Sequence, residues 1–178
     1  MNIIISGSAG TGKSTVSREV AKVFGLHHVS AGEQFRAVAQ SMGYATTGKD
    51  YLRFHEYQRG HPEIDEQIDC SIKAELDKGD CVLDTRIAAY LYKGKAYRVL
   101  LKVPDSEAAK RNALRENIVV SEALKAVIER NKADSARYKK IYGIDLNDHS
   151  VYDLVIDTSY FSIKEMNDIV LCVLKKLI

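Results

Sequence analysis

Short β-branched runs alternate along the chain with longer stretches in which apolar residues recur at helical spacing. Ile3-Ile4-Ile5 predicts a buried strand, and Thr15 to Phe24, with apolar residues at 16, 20, 23 and 24, predicts the helix after it. Gly25 ends that helix, and His27-His28-Val29 is short enough to be a second strand. Ser30 is placed to N-cap the next helix with Glu33 as its capping partner, and Phe35, Val38, Ala39 and Met42 fall on one side of it. A loop is expected from Gly43 to Gly48 and a helix from Lys49 to Arg59, which His61-Pro62 breaks. Pro62 suits the first turn of a helix running through Glu63 to Lys78, with Ile64, Ile68, Ile72 and Leu76 on its core face. Strands follow at Cys81–Asp84 and at Ala96–Val103, the latter closed by Pro104. Helices open at Asp105 and at Ser121, the second running to about Gly143. A last strand at Val151–Asp157 leads to a helix from about Ser162 that packs Met166, Ile169, Val170, Val173, Leu174 and Leu177. Strands separated by helices imply an α/β fold, a parallel sheet covered on both faces.

Composition adds bounds. One domain is expected of 178 residues, and 46% apolar with 28% charged residues is the balance of a soluble globular chain. A net charge of +2 points neither toward nor away from nucleic acid, and no nucleic-acid partner is expected. Cys70, Cys81 and Cys172 form no C-x-x-C pair and leave an odd count, which suits reduced thiols. No basic leader precedes a long apolar run, and no run approaches about 18 apolar residues, so a cytoplasmic protein without membrane contact is expected. No large apolar stripe is left over, which favours a monomer. The five histidines lack metal-ligand spacing and are expected to be surface or packing residues.

The chemistry centres on Gly7-Ser8-Ala9-Gly10-Thr11-Gly12-Lys13-Ser14, followed by Thr15, which matches the phosphate-binding pattern G-x-x-x-x-G-K-[ST]. Its position between a strand and a helix aims the helix N-terminus and a row of backbone N–H groups at an anion. Glycines at 7, 10 and 12 let the backbone come close to phosphate oxygens. Lys13 is expected against the β- and γ-phosphates of ATP, with the Ser14 hydroxyl on Mg²⁺. Asp84, at the end of its strand, is placed to reach the same Mg²⁺. Arg86, just beyond, suits a phosphate because its planar fork bonds two oxygens at once.

Charge is uneven. From Gly48 to Asp80 nine acids face five bases, and Asp65 and Asp69, one turn apart, are candidates for gripping a ligand. From Asp105 to Gly143 nine bases face six acids, and Arg111, Arg115, Arg130 and Arg137 suggest a lid closing cationic fingers over a transferring group. Arg36, one turn into its helix, is free to face a cleft.

Two functions fit a phosphate loop on so short a chain. A GTP-driven switch would explain Asn131-Lys132-Ala133-Asp134, which matches the guanine-reading N-K-x-D pattern. That segment follows a charged stretch of helical period, however, and no D-x-x-G follows Asp84, so the match is accidental. A small kinase explains more. Two anionic substrates repel, and Arg36 and Arg86 on the acceptor side with arginines on the transfer path meet that repulsion. An acceptor phosphate is itself a nucleophile and requires no dedicated base.

The chain resembles the nucleoside monophosphate kinases of the P-loop class, and within them the short archaeal cytidylate kinases. Ser30-Ala31-Gly32-Glu33-Gln34-Phe35-Arg36 is similar to the segment that starts the monophosphate site across these kinases. His61-Pro62-Glu63-Ile64-Asp65 and Val82-Leu83-Asp84-Thr85-Arg86-Ile87-Ala88 look like archaeal stretches, and Arg130-x-x-x-Asp134-x-x-Arg137 matches the lid pattern of cytidylate kinases. Arg137–Asp145 and Tyr152–Ser159 are similar as well. The resemblance implies a P-loop three-layer α/β/α fold with a five-stranded parallel sheet. It implies a helical acceptor-binding insert at about 31–79 and a helical lid at about 105–143. It also implies transfer of the ATP γ-phosphate to CMP and dCMP with Mg²⁺, the alternatives being another acceptor such as UMP or AMP. Ser30, Gly32, Arg36 and Arg86 would then bind the acceptor, and Arg130 and Arg137 would act from the lid. Asp134 would hold the sugar or orient those arginines. Thr85 departs from the small Gly or Ser of many relatives, and the insert that carries cytosine contacts in bacterial forms is absent. The base is left to Asp65, Asp69 and Asp84, because a carboxylate accepts from an exocyclic amine.

Overall fold

The computed structural model describes residues 1–46 and 48–177, so Thr47 of the expected 43–48 loop lies outside the described residues. Five strands, β1 (Asn2–Ser6), β2 (His27–Ser30), β3 (Cys81–Thr85), β4 (Tyr97–Lys102) and β5 (Leu154–Asp157), form one parallel sheet in the order β2-β3-β1-β4-β5. The helices among them are α1 (Lys13–Phe24), α2 (Ala31–Ser41), α3 (Gly48–Arg59), α4 (Pro62–Lys78), α5 (Ala88–Leu91), α6 (Asp105–Glu116), α7 (Val120–Tyr142) and α8 (Ile163–Leu177).

Strand pleating divides the core. Ile3 and Ile5 join Val82, Val99 and Leu101 against Val16 and Val20 of α1 and Met166, Val170 and Leu174 of α8. Ile4, one residue out of phase, joins Val29 and Leu83 against Ala39 of α2, Phe54 of α3 and the α4 row Ile64, Ile68, Ile72 and Leu76. Every residue of β1 and β3 is buried, which explains the uninterrupted apolar run at 3–5. A separate alanine-rich seam, Ala108, Ala109, Ala113 and Ala123 with Val127, joins α6 to α7. No described helix is long and apolar enough to cross a membrane.

Several local expectations change. Val23, Met42 and Leu177 are exposed; Ser17 and Ala21 take the inner face of α1, and Leu171, in the middle of α8, packs against the core. The capping box is half made: Ser30 Oγ accepts from the Glu33 amide at 3.3 Å, while the Glu33 carboxylate pairs with Arg18 at 3.2 Å instead of returning to Ser30. The last strand begins at Leu154, because the Asp153 side chain already accepts from the Arg98 amide at 2.7 Å and brings the chain onto the sheet edge. Thr85 caps the unforeseen α5, its Oγ1 accepting from the amides of Ile87 and Ala88, both at 3.3 Å. A glycine at position 85 would lack that oxygen.

Candidate active site

The carboxyl ends of β1, β2 and β3 open into one cleft of about 910 Å³, the usual place for a ligand in a parallel sheet. At its floor α1 starts at Lys13 with Gly12 as N-cap in the left-handed region, without a side-chain cap and without an acid in the first turn. Its first N–H groups are therefore left for an anion. Gly10 is required twice: its φ of 83° is left-handed, and a Cβ would stand 2.8 Å from the Cα of Ala108 on α6. Ala9, Gly10, Gly12, Lys13, Ser14 and Thr15 line the cleft. Gly7, Ser8 and Thr11 do not; Thr11 is buried and donates to the Ser8 carbonyl at 2.9 Å, so these three shape the loop from beneath.

Asp84, 3% exposed, lies 3.8 Å from Lys13 Nζ. Burial is the larger influence on Lys13 and overrides that carboxylate, lowering its pKa to about 8. One hydroxyl and one carboxylate, Ser14 and Asp84, fit Mg²⁺, which takes few protein ligands and keeps waters and substrate phosphates. Among the described residues no cluster of three or more His, Cys, Asp or Glu could make a dedicated metal cage.

The second half of the cleft lies between α2, α3 and α4. Ser30, Gly32, Phe35 and Arg36 line it from the start of α2, and Arg36 is exposed with no ion pair among the described residues. Asp65 and Asp69 line it from α4. Asp65 is buried, its Oδ1 accepting from Gln58 Nε2 at 2.8 Å and lying 3.7 Å from Arg137. Asp69 accepts from the Tyr142 hydroxyl. Burial, the first cause in both, raises the pKa of each carboxyl.

Helix α7 lies over this half. Asp134 pairs with Arg86, and Arg137 donates to Gln58 Oε1 at 2.8 Å and to the Tyr138 hydroxyl at 2.9 Å. Arg130 lines the cleft without an ion pair among the described residues, and loss of hydration first, Arg86 second, lower its pKa. Arg86, Arg130, Asp134 and Arg137 thus line one cleft. Arg111 is not a free finger: it bonds the Gly10 carbonyl at 3.2 Å and Thr158 at 3.0 and 2.7 Å, tying α6 to the phosphate loop. Arg115 pairs with its neighbour Glu116.

A family model described as cytidylate kinase-like matches residues 2–160. The chain belongs to the cytidylate kinase-like family. It is similar to the cytidylate kinase of Pyrobaculum aerophilum, 39% identical over 92% of this chain and 86% of that one. It is also similar to the cytidylate kinase of Methanocaldococcus jannaschii, 40% identical over 96% of this chain and 95% of that one. Among solved structures, the shikimate kinase of Acinetobacter baumannii in complex with shikimate superposes with a TM-score of 0.62 at 18% identity, covering 98% and 93% of the two chains. At that identity the likeness speaks for the P-loop kinase fold alone.

Within this cytidylate kinase-like fold, Asn131-Lys132-Ala133-Asp134 lies inside α7, where Asn131 bonds Asp105 at 2.8 Å. No strand end presents it to a guanine. Among the cleft residues that escape the sequence reading are Tyr51, His55 and Gln58 of α3, Asn112 of α6, Tyr138 of α7 and Phe161 just before α8. The spacing 51, 55, 58 is a helical stripe, but only the position of α3 beside the cleft distinguishes it from solvated surface. His55, expected to be surface or packing, stacks on Phe35 with ring centroids 4.8 Å apart. Burial first, then the nearby arginines against Asp134, lower its pKa to about 4, so the ring is neutral near pH 7.

Proposed function

We propose that this chain transfers the γ-phosphoryl group of ATP to CMP and dCMP, giving ADP and CDP or dCDP. The observation that carries the reading is the meeting of the phosphate loop with Arg36, Arg86, Arg130 and Arg137 around one cleft. The names of the archaeal relatives support cytidine as the nucleoside.

In this reading Ala9 to Thr15 and the start of α1 hold the donor's phosphates, with Gly7, Ser8 and Thr11 setting the loop's shape. Lys13 neutralises charge on the transferring group. Arg36 and Arg86 take the acceptor phosphate, and the arginine fork of residue 86 aligns it in line with the donor. Arg130 and Arg137 act from the lid on the charge that spreads over the equatorial oxygens in transit. Asp134 orients Arg86 and Arg137, or meets the sugar. Ser14 and Asp84 would hold Mg²⁺, which when bound would supply neutralisation of phosphate charge. Segment 31–79 is the acceptor-binding insert and 105–143 the lid of a single domain acting as a cytoplasmic monomer.

The test is ADP release with ATP and Mg²⁺ against CMP, dCMP, UMP, AMP, GMP, shikimate and no acceptor. Turnover with CMP and dCMP far above the others is the expected result. Turnover with shikimate alone, or hydrolysis of GTP without an acceptor, overturns it.

A further inference from the structure

Three groups, Gln58, Asp65 and Arg137, converge in the cleft between α3, α4 and α7. Gln58, 2% exposed, uses both ends of its amide: Oε1 accepts from Arg137 Nη1 and Nε2 donates to Asp65 Oδ1, each at 2.8 Å. A guanidinium only donates and an ionised carboxylate only accepts, so this arrangement admits one orientation of the amide. The lid arginine thereby dictates which face Gln58 turns to Asp65. Asp65 in turn has one oxygen engaged and the other, Oδ2, buried with no partner among the described residues.

The remaining cleft carboxylates are committed elsewhere: Asp84 to Lys13, Asp69 to Tyr142 and Asp134 to Arg86. The same cleft is also lined by Ile68 and Ile72, on the helix of Asp65, and by the stacked Phe35–His55 pair. A flat base fits such walls, and a donor on its edge would satisfy the unpartnered oxygen.

We propose that Gln58 and Asp65 form the specificity-determining pair that reads the exocyclic amine of the acceptor base. Gln58 is the positioning residue that turns Asp65 Oδ2 toward it. The inference rests on the proposed nucleotide acceptor and adds to it which edge of the base is read, and that closure of α7 through Arg137 sets the reader. Uracil offers a carbonyl oxygen where cytosine offers the amine, so it would meet Oδ2 acceptor to acceptor.

Substitution Asp65→Asn tests this by inversion. Gln58 Nε2 needs an acceptor, which keeps the new side-chain oxygen on its side and leaves an NH₂ where Oδ2 stood. Steady-state kinetics with saturating ATP then compare CMP with UMP. The ratio of their kcat/KM values is expected to fall by about 10² or more in Asp65→Asn, because a site built for one hydrogen-bond pattern rejects the opposite one strongly. Gln58→Met, which removes no charge, is expected to lower the same ratio by about tenfold. It carries the test alone if Asp65→Asn does not fold. Loss of activity with an unchanged ratio in the folded variants overturns the proposal and leaves the CMP kinase reading standing. A wild-type enzyme that does not turn over CMP overturns both.

Discussion

Arg86, at the end of β3, and Asp134, in the middle of α7, are joined by a hydrogen-bonded ion pair across the cleft, with side chains only 15% and 12% exposed. The pair closes the lid helix onto the sheet through the same arginine proposed to take the acceptor phosphate. Removing one partner leaves the other charge half-buried and unpaired, at a cost between that for an exposed pair and that for a fully buried one, about 2 kcal/mol. Asp134→Ala is therefore expected to lower the thermal midpoint by roughly 4–8 °C for a chain of this size. An unchanged midpoint in a calorimetric scan would mean that the pair does not hold α7 down.

Lys13 faces Asp84 yet has a pKa of about 8, because burial outweighs the carboxylate. The charged form is lost as pH rises through that value. The kcat/KM for ATP should accordingly fall above about pH 8, reporting the free protein. In Lys13→Arg the alkaline fall should disappear even if activity is low, since a guanidinium stays charged. Lys13→Ala should reduce turnover about 10²–10³-fold through lost stabilisation of transferring charge. Near-normal turnover in that variant would remove the lysine from the mechanism.

Arg36 lines the acceptor half of the cleft, and Lys13 the phosphate loop. Arg36→Ala should raise the KM for CMP by about 10-fold or more, a charge-assisted hydrogen bond being worth roughly 1.5–3 kcal/mol. The KM for ATP should change little. Equal rises for both substrates, measured by varying each at saturation of the other, would take Arg36 out of the acceptor site.

His55 carries a stability consequence. Its folded pKa, about 4, is below the ordinary 6.5, so in acid the unfolded chain takes up the proton first. Stability is lost as pH falls below about 6.5, and the loss is complete below about 4. A His55→Phe variant, which keeps the stack on Phe35, should lose less between those limits in urea titrations. Parallel curves for the two proteins would show that His55 does not titrate in this way.

Gly10→Ala combines a left-handed backbone with a Cβ placed against the backbone of Ala108. The Ala108 backbone cannot yield without moving α6 off the phosphate loop. Loss of ATP binding by at least about tenfold is expected, together with a lower thermal midpoint, because strain of this kind costs on the order of 1–3 kcal/mol. Binding can be followed by titration calorimetry, and unaltered affinity would show that the loop tolerates the shift.

The sequence by itself determined the parallel α/β fold, the phosphate loop and the roster of cationic residues. These are local properties: β-branched runs, helical periods and a glycine-rich turn at fixed spacing each express physics that acts within a few residues. Ser30 is an N-cap wherever its helix lies, and Ile64, Ile68, Ile72 and Leu76 share a face whatever they pack against. Pairings between distant segments were decided by the tertiary structure alone. Arg111 looks like a lid arginine in sequence, yet it spends its hydrogen bonds on Gly10 and Thr158, 101 and 47 residues away. Tyr51, His55 and Gln58 look like one more polar helix face, and they become cleft residues only because α3 packs beside α4 and under α7. Asp65, Asp69, Asp84 and Asp134 are chemically alike in sequence. Folding assigns each a different partner, and among the described residues it leaves a buried oxygen of Asp65 without one, because hydrogen-bond satisfaction depends on what three-dimensional packing brings within about 3 Å and not on residue type.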